Sequence, residues 1–142
     1  MSRANLRHTL FVRVLLVALV ATPVLLAQSG HAAERMQLLT TRACDRCNLS
    51  GEDFSRLDLK GVSLSNATLT NIKFYKTDLT NANLGGANLT NAVMSFANLS
   101  NANLGGADLA GANLSGALAA DLAAAITTHT TTCPDGTAGP CR

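Results

Sequence analysis

The chain of 142 residues has no tryptophan, one tyrosine and four phenylalanines, and Asp, Glu, Lys and Arg make up only 14% of it. A core built around large aromatic side chains is therefore excluded. So is a highly charged disordered chain, because 47% of the residues are hydrophobic. No apolar stretch reaches the ~20 residues that a membrane span requires. The apolar run near the start, Val14 to Ala27, has 14 residues and is interrupted by Thr22 and Pro23.

What stands there instead has the layout of a secretory signal. Arg3, Arg7 and Arg13 make a basic start, the apolar run follows, and Gly30, Ala32 and Ala33 supply small residues before the polar Glu34. Residues 1–33 are read as a signal helix, cleaved after Ala32 or Ala33. No cysteine sits at this junction and no consecutive arginine pair precedes the run, so neither a lipid anchor nor a twin-arginine route is supported. The product is expected outside the cytoplasm, in the periplasm or the medium, touching the membrane only through the signal. Without residues 1–33 the chain holds eight bases and nine acids, a net charge of −1. A near-neutral protein lacks the electrostatic footprint of a nucleic-acid binder.

The remainder is governed by a repeat. Stepping by five from Leu49 gives Leu49, Phe54, Leu59, Leu64, Leu69, Phe74, Leu79, Leu84, Leu89, Met94, Leu99, Leu104, Leu109 and Leu114, fourteen large apolar residues without a missed step. Two places before each centre, alanine occurs in eight of the fourteen, and one place before, Asn or Asp occurs in ten. A helix turns about 100° per residue, so a step of five would scatter the leucines around its surface. A strand alternates sides with period two, so successive leucines would face opposite ways. A chain that turns one corner per pentad buries them all, with Asn, Asp, Ser and Gly at the corners, where they tolerate unusual φ or bond their own backbone. A second period of 20 supports this. It aligns Phe54, Phe74, Met94 and Leu114 in one core column and repeats Gly85-Gly86 as Gly105-Gly106.

These residues closely resemble the pentapeptide-repeat family, whose motif reads A(D/N)LXX, over residues 47–116. The resemblance implies an all-β fold, a right-handed, four-sided parallel β-helix, with Leu or Phe stacked inward at the pentad centre. Fourteen pentads give about 3.5 coils, a rod of roughly 17 Å at a strand spacing of ~4.8 Å. A solenoid buries its apolar face only against its neighbours, so its end coils need caps. Residues 34–46 are read as the N-terminal cap and 117–142 as a C-terminal cap with a disulfide loop. Counted back in register, Cys44 and Leu39 fall at centres, Cys47 at the small inward position, and Glu52 at an inward position where a charge needs a partner. Leu114, Leu118, Leu122 and Ile126 are four apart in an alanine-rich segment. That spacing predicts a short capping helix over 117–126, with a degenerate final coil as the alternative.

Four cysteines in an exported chain point to disulfides. Cys133 and Cys141 flank a turn-rich segment and are expected to pair, with Cys44–Cys47 as the second bridge. Cys44-Asp45-Arg46-Cys47 is the one motif with chemical character. A redox dithiol normally needs a thiol activated at a helix N-terminus, and a zinc site needs four ligands at Cys/His spacing. Neither context is visible, so a structural cap is preferred, and no metal or cofactor is expected. Asp53, Asp58, Asp78 and Asp108 occupy the motif's Asn/Asp position and are read as corner residues, not as an acid pair. His129 reads as a solvated loop residue, and Lys73, Tyr75 and Lys76, with Arg56 and Lys60 a coil below, as an ordinary solvated face. The functional expectation is a non-enzymatic exported scaffold that binds a partner protein or itself, or serves envelope structure at the cell surface. The alternatives are a thiol redox or metal-handling module at Cys44 and Cys47 and, since some intracellular members of the family bind DNA gyrase as DNA-like rods, a gyrase-binding rod.

Overall fold

The computed structural model describes residues 30–118 and 121–141. The chain divides into two units after Ala33. The signal expected over 1–33 lies, up to residue 29, outside the described residues. The second unit begins within a helix, α1, Gly30–Thr41, and continues as a regular coil.

Turns recur every five residues, and a single bridging residue separates one turn from the next. From Ala43 to Asn98 each bridging residue pairs in parallel with the residue 20 places on, as in Asn48 with Thr68, Thr68 with Asn88 and Asn88 with Asp108. Four turns thus close each coil. The ladder is made of isolated one-residue bridges, not of extended strands, because five residues leave no room for more between corners.

The pentad Ala82-Asn83-Leu84-Gly85-Gly86 shows why the motif has this composition. The Asn83 and Leu84 N–H groups donate to Val62 O and Asn103 O at 2.8 Å, one coil back and one coil ahead. Gly86 N–H donates ahead to Gly105 O, and Ala82 N–H closes the preceding turn on Leu79 O, both at 2.9 Å. The last donor, Gly85 N–H, is taken by the Asn83 side chain at 3.2 Å. Every backbone N–H of the unit is satisfied, as a compact chain requires. All ten Asn and Asp residues at this position make the same bond to the N–H two places on. They therefore stand on the sides, at the bridging position, and reach forward to hold the corner. This corrects the expectation that Asp53, Asp58, Asp78 and Asp108 are themselves corner residues. The corner is the residue two past the centre, which takes a left-handed φ in each pentad: 55° to 59° at Asn66, Asn71, Asn81, Asn91 and Asn101, and 67° at Gly86.

Inside, all fourteen centre residues are buried. Phe54 and Phe74 stack with ring centroids 6.0 Å apart, and Met94 and Leu114 continue that column. Thr77 replaces alanine at one inward position, and its hydroxyl donates to Phe54 O at 2.8 Å, which removes the cost of burying it.

The helix over 117–126 is not formed by the described residues of that segment. Ile126 bridges Asp108, 18 residues back, and Thr132 bridges Asn113, 19 back. A degenerate coil, two residues short on its first sides, takes the helix's place. Leu122 is buried, while Leu118 and Ile126 are 59% and 54% exposed, so the four-residue spacing marks no common face. The chain then reverses. Thr132 pairs antiparallel with Ala138, with Cys133 and Cys141 at disulfide distance, Cα atoms 5.5 Å apart.

The two roles of the repeat residues separate in stability. Leu84→Ala is expected to cost ~2–5 kcal/mol through the cavity it leaves. Asn91→Ala, which keeps the core and only forces alanine into the left-handed region, is expected to cost ~1–2 kcal/mol. Chemical denaturation of the two variants checks the ranking.

Candidate functional site: the capped end and the outer wall

The first coil presents backbone groups with no coil beneath them, and α1 covers them. Leu38, not the Leu39 expected from the register, drops into the open end and is fully buried, while Leu39 is 42% exposed. Helical spacing, not the pentad, sets which side chain faces inward here. The side chains of the cap replace the missing coil. Glu34 accepts from Asn48 N–H at 3.0 Å. Arg35 donates to Asp53 O at 2.9 Å, and Arg42 to Asp58 O at 3.0 Å. At the helix C-terminus the Thr41 hydroxyl donates to Gln37 O at 2.9 Å. Arg35 also pairs with Glu52 at 2.9 Å and lies 4.7 Å above the Phe54 ring. The inward carboxylate flagged in the sequence thus has its partner, and the guanidinium closes the core column.

Cys44 and Cys47 lie directly under this lid, Cα atoms 5.3 Å apart, both buried. Cys133 and Cys141 are buried at the other end. Neither pair is accompanied by a group of three or more His, Cys, Asp or Glu residues among the described residues. His129 is exposed. The four cysteines are therefore brought together in two pairs and not as one set.

The outer wall is polar and held to its own backbone. Where Ser63 breaks the Asn/Asp pattern, Asp45 from the previous turn takes the orphaned Ser65 N–H at 3.0 Å and both serine hydroxyls. These hydroxyl bonds, Ser63 first, hold the Asp45 carboxyl below the usual carboxylate range. Asp53, Asp78 and Asp135 are held low in the same way by Ser55, Thr80 and Thr137. Ion pairs tie Lys60 to Asp78 at 3.3 Å and Lys73 to Asp53 at 3.7 Å across neighbouring coils. One corner departs from this pattern. Tyr75 and Phe96 meet edge to face at 6.1 Å, and Lys76 lies 5.3 Å from the Tyr75 ring and 5.9 Å from that of Phe96. The sequence reading found Tyr75 and Lys76 but missed Phe96. Its signal was a phenylalanine at a position otherwise filled by Asn, Gly, Arg or Lys.

The family profile of pentapeptide repeats matches residues 44–74 and 77–116 as eight copies. Comparison with curated proteins finds no match. Among solved structures, the chain is similar to a pentapeptide repeat protein from Nostoc PCC 7120, with 33% identity, 61% of this chain and 76% of that one covered, and a TM-score of 0.39. It is also similar to Rfr23, a pentapeptide repeat protein of Cyanothece 51142, with 31% identity, coverage of 60% and 78%, and a TM-score of 0.32. A third is HetL, a pentapeptide repeat protein involved in heterocyst differentiation regulation in Nostoc sp. strain PCC 7120, with 30% identity, coverage of 68% and 51%, and a TM-score of 0.32.

The depressed carboxyl groups fix the sign of the acid response. Each gains its bonds only in the folded, ionised form, so the stabilisation is present above the ordinary carboxylate pKa and is lost as pH falls through the lower folded value. Thermal midpoints are expected to fall steadily below a pH of about 4. Asp45→Asn, which keeps an acceptor for the Ser65 N–H but cannot titrate, is expected to show a shallower fall. Identical acid limbs for the variant and the parent would contradict this role for Asp45.

Proposed function

Because the chain belongs to the pentapeptide-repeat family, we propose that it is a non-enzymatic scaffold, exported by its N-terminal segment, whose rod docks a protein partner. The observation that carries this reading is the ladder of register 20, continuous from Ala43 to Leu118, over an apolar interior. The backbone is spent on neighbouring coils and the polar side chains largely on their own corners, which leaves a rigid wall suited to recognition by shape. The coil is taken as right-handed, as parallel crossovers favour, with about 3.5 repeat coils between its caps.

In this reading both cysteine pairs are oxidised and structural. The burial of Cys44 and Cys47 at the capped end, with Cys44 Sγ against Glu34 O, favours that role over a redox dithiol, which must meet its substrate. The cap contacts described above begin at Glu34, so cleavage after Ala32 or Ala33 would leave those contacts intact. Export beyond the cytoplasm would keep the bridges formed.

Two measurements test the proposal. Cross-linking of the full chain in producing cells is expected to give a discrete adduct with one partner protein. A thiol reagent is expected to label the native protein only after reduction and unfolding. Ready reduction of the native Cys44–Cys47 pair with turnover of a disulfide substrate would replace the scaffold by a redox module.

A further inference from the structure

Each pentad turns through one left-handed residue. From residue 51 onward, three of the four corners use only asparagine or glycine there: Gly61, Asn81 and Asn101 on one, Asn66, Gly86 and Gly106 on another, Asn71, Asn91 and Gly111 above Gly51 on the third. The fourth corner carries Arg56, Lys76 and Phe96 before Gly116. Asparagine is tolerated in this region because its short polar side chain bonds locally, but a bulky aromatic at a φ of 59° is an outlier. Strain of this kind gathers at binding sites, and the inference runs from the observed outlier to the function.

The strained residues build one surface. The Phe96 ring is 55% exposed. It rests edge to face on Tyr75 and extends over Gly116, where a Cβ would lie 2.6 Å from the ring. Val93, 37% exposed, lies on the adjoining side. Arg56 sits 5.9 Å above the Tyr75 ring, and Lys76 is shared between both rings. Charge marks this corner as well. Arg35, Arg42, Lys60 and Lys73 each have a carboxylate partner. Among the described residues, Arg56 and Lys76 have none; Arg46, single on the corner below Asn66, has none either, so what sets this corner apart is two such cations stacked with two rings.

We propose that the ridge Arg56–Tyr75–Lys76–Phe96 is the docking site for an acidic segment of a partner protein. Its carboxylates would lie on Arg56 and Lys76, and an apolar side chain would pack against Phe96 and Val93. This deepens the scaffold reading and rests on it. Two unpaired cations are complementary to an anionic segment, and the exposed Phe96 ring requires that the segment also carry apolar groups. The rings stand at 89° to each other, so they offer no shared plane on which a sugar or a base would stack. Two charges alone also give only weak attraction to an anionic bilayer. The ladder holds the ridge in place before binding, which lowers the ordering cost of association.

The test uses the full chain and a fluorescent peptide of alternating glutamate and leucine, with a lysine-leucine peptide and phosphatidylglycerol vesicles as comparisons. The acidic peptide is expected to bind, more weakly as salt rises. Phe96→Asn is expected to weaken binding about tenfold, equivalent to about 1.4 kcal/mol, while raising the thermal midpoint, because asparagine is the corner residue the coil prefers. Lys76→Asn should weaken binding in the same way, and Asn81→Lys, on another corner, should not. The proposal is overturned by no binding of the acidic peptide, by equal binding of the basic one, or by vesicle binding that Phe96→Asn abolishes. A lowered midpoint for Phe96→Asn would also overturn it, since Phe96 would then be a clamp on Gly116. If cells making Phe96→Asn keep the cross-linked partner, this ridge fails and the scaffold stands; if the parent chain gives no adduct, the scaffold itself fails.

Discussion

The backbone hydrogen bonds between coils are the constraint on which everything else rests. With only five residues per side, a chain can satisfy its N–H groups only if three reach neighbouring coils, one closes a turn and one is taken by a side chain. This explains the motif residue by residue. The centre is large and apolar to fill the axis, the residue two before it is mostly alanine, with Val62 and Ile72 also buried there and Thr77 bonding inward, and the one between carries a short Asn or Asp acceptor in ten of the fourteen pentads. The position two beyond must tolerate a left-handed φ. The demands are local and identical in each pentad, so the sequence is biased in proportion.

Most of the coil was legible for that reason. The step of five and the superperiod of 20 defined the core and its columns, and Phe54 and Phe74 do stack. The split between the side-standing Asn/Asp and the corner residue was not legible, since both positions favour the same residue types for different reasons. The ends were harder still. α1 left only a weak trace in the sequence, because its one deeply buried side chain, Leu38, is anchored by the coil it covers and not by a stripe of its own. The alanine-rich 117–126 segment carries helical spacing by coincidence. Bridges at Ile126 and Thr132 draw it into the ladder, and tertiary pairing overrides propensity there.

The surface was the least legible part. Tyr75 and Lys76 were visible as a basic cluster, and the superperiod of 20 carries Lys76 onto Phe96, but that period had been applied to the core and not to the outer wall. Only the coil brings such residues together. Once it does, one corner stands apart from the other three by its rings, by two stacked cations and by the strained backbone of Phe96.

The same geometry restricts how this molecule can change length. Loss or gain of a whole 20-residue turn returns every side chain to its own column, so the Phe54–Phe74 stack, the glycine corner and the two ends would all be preserved. Loss of a single pentad rotates everything beyond it by a quarter turn and would set Met94 above a different wall from Phe74. Variation in this rod should therefore come in quanta of four pentads, with the ridge serving as a fixed landmark along its axis.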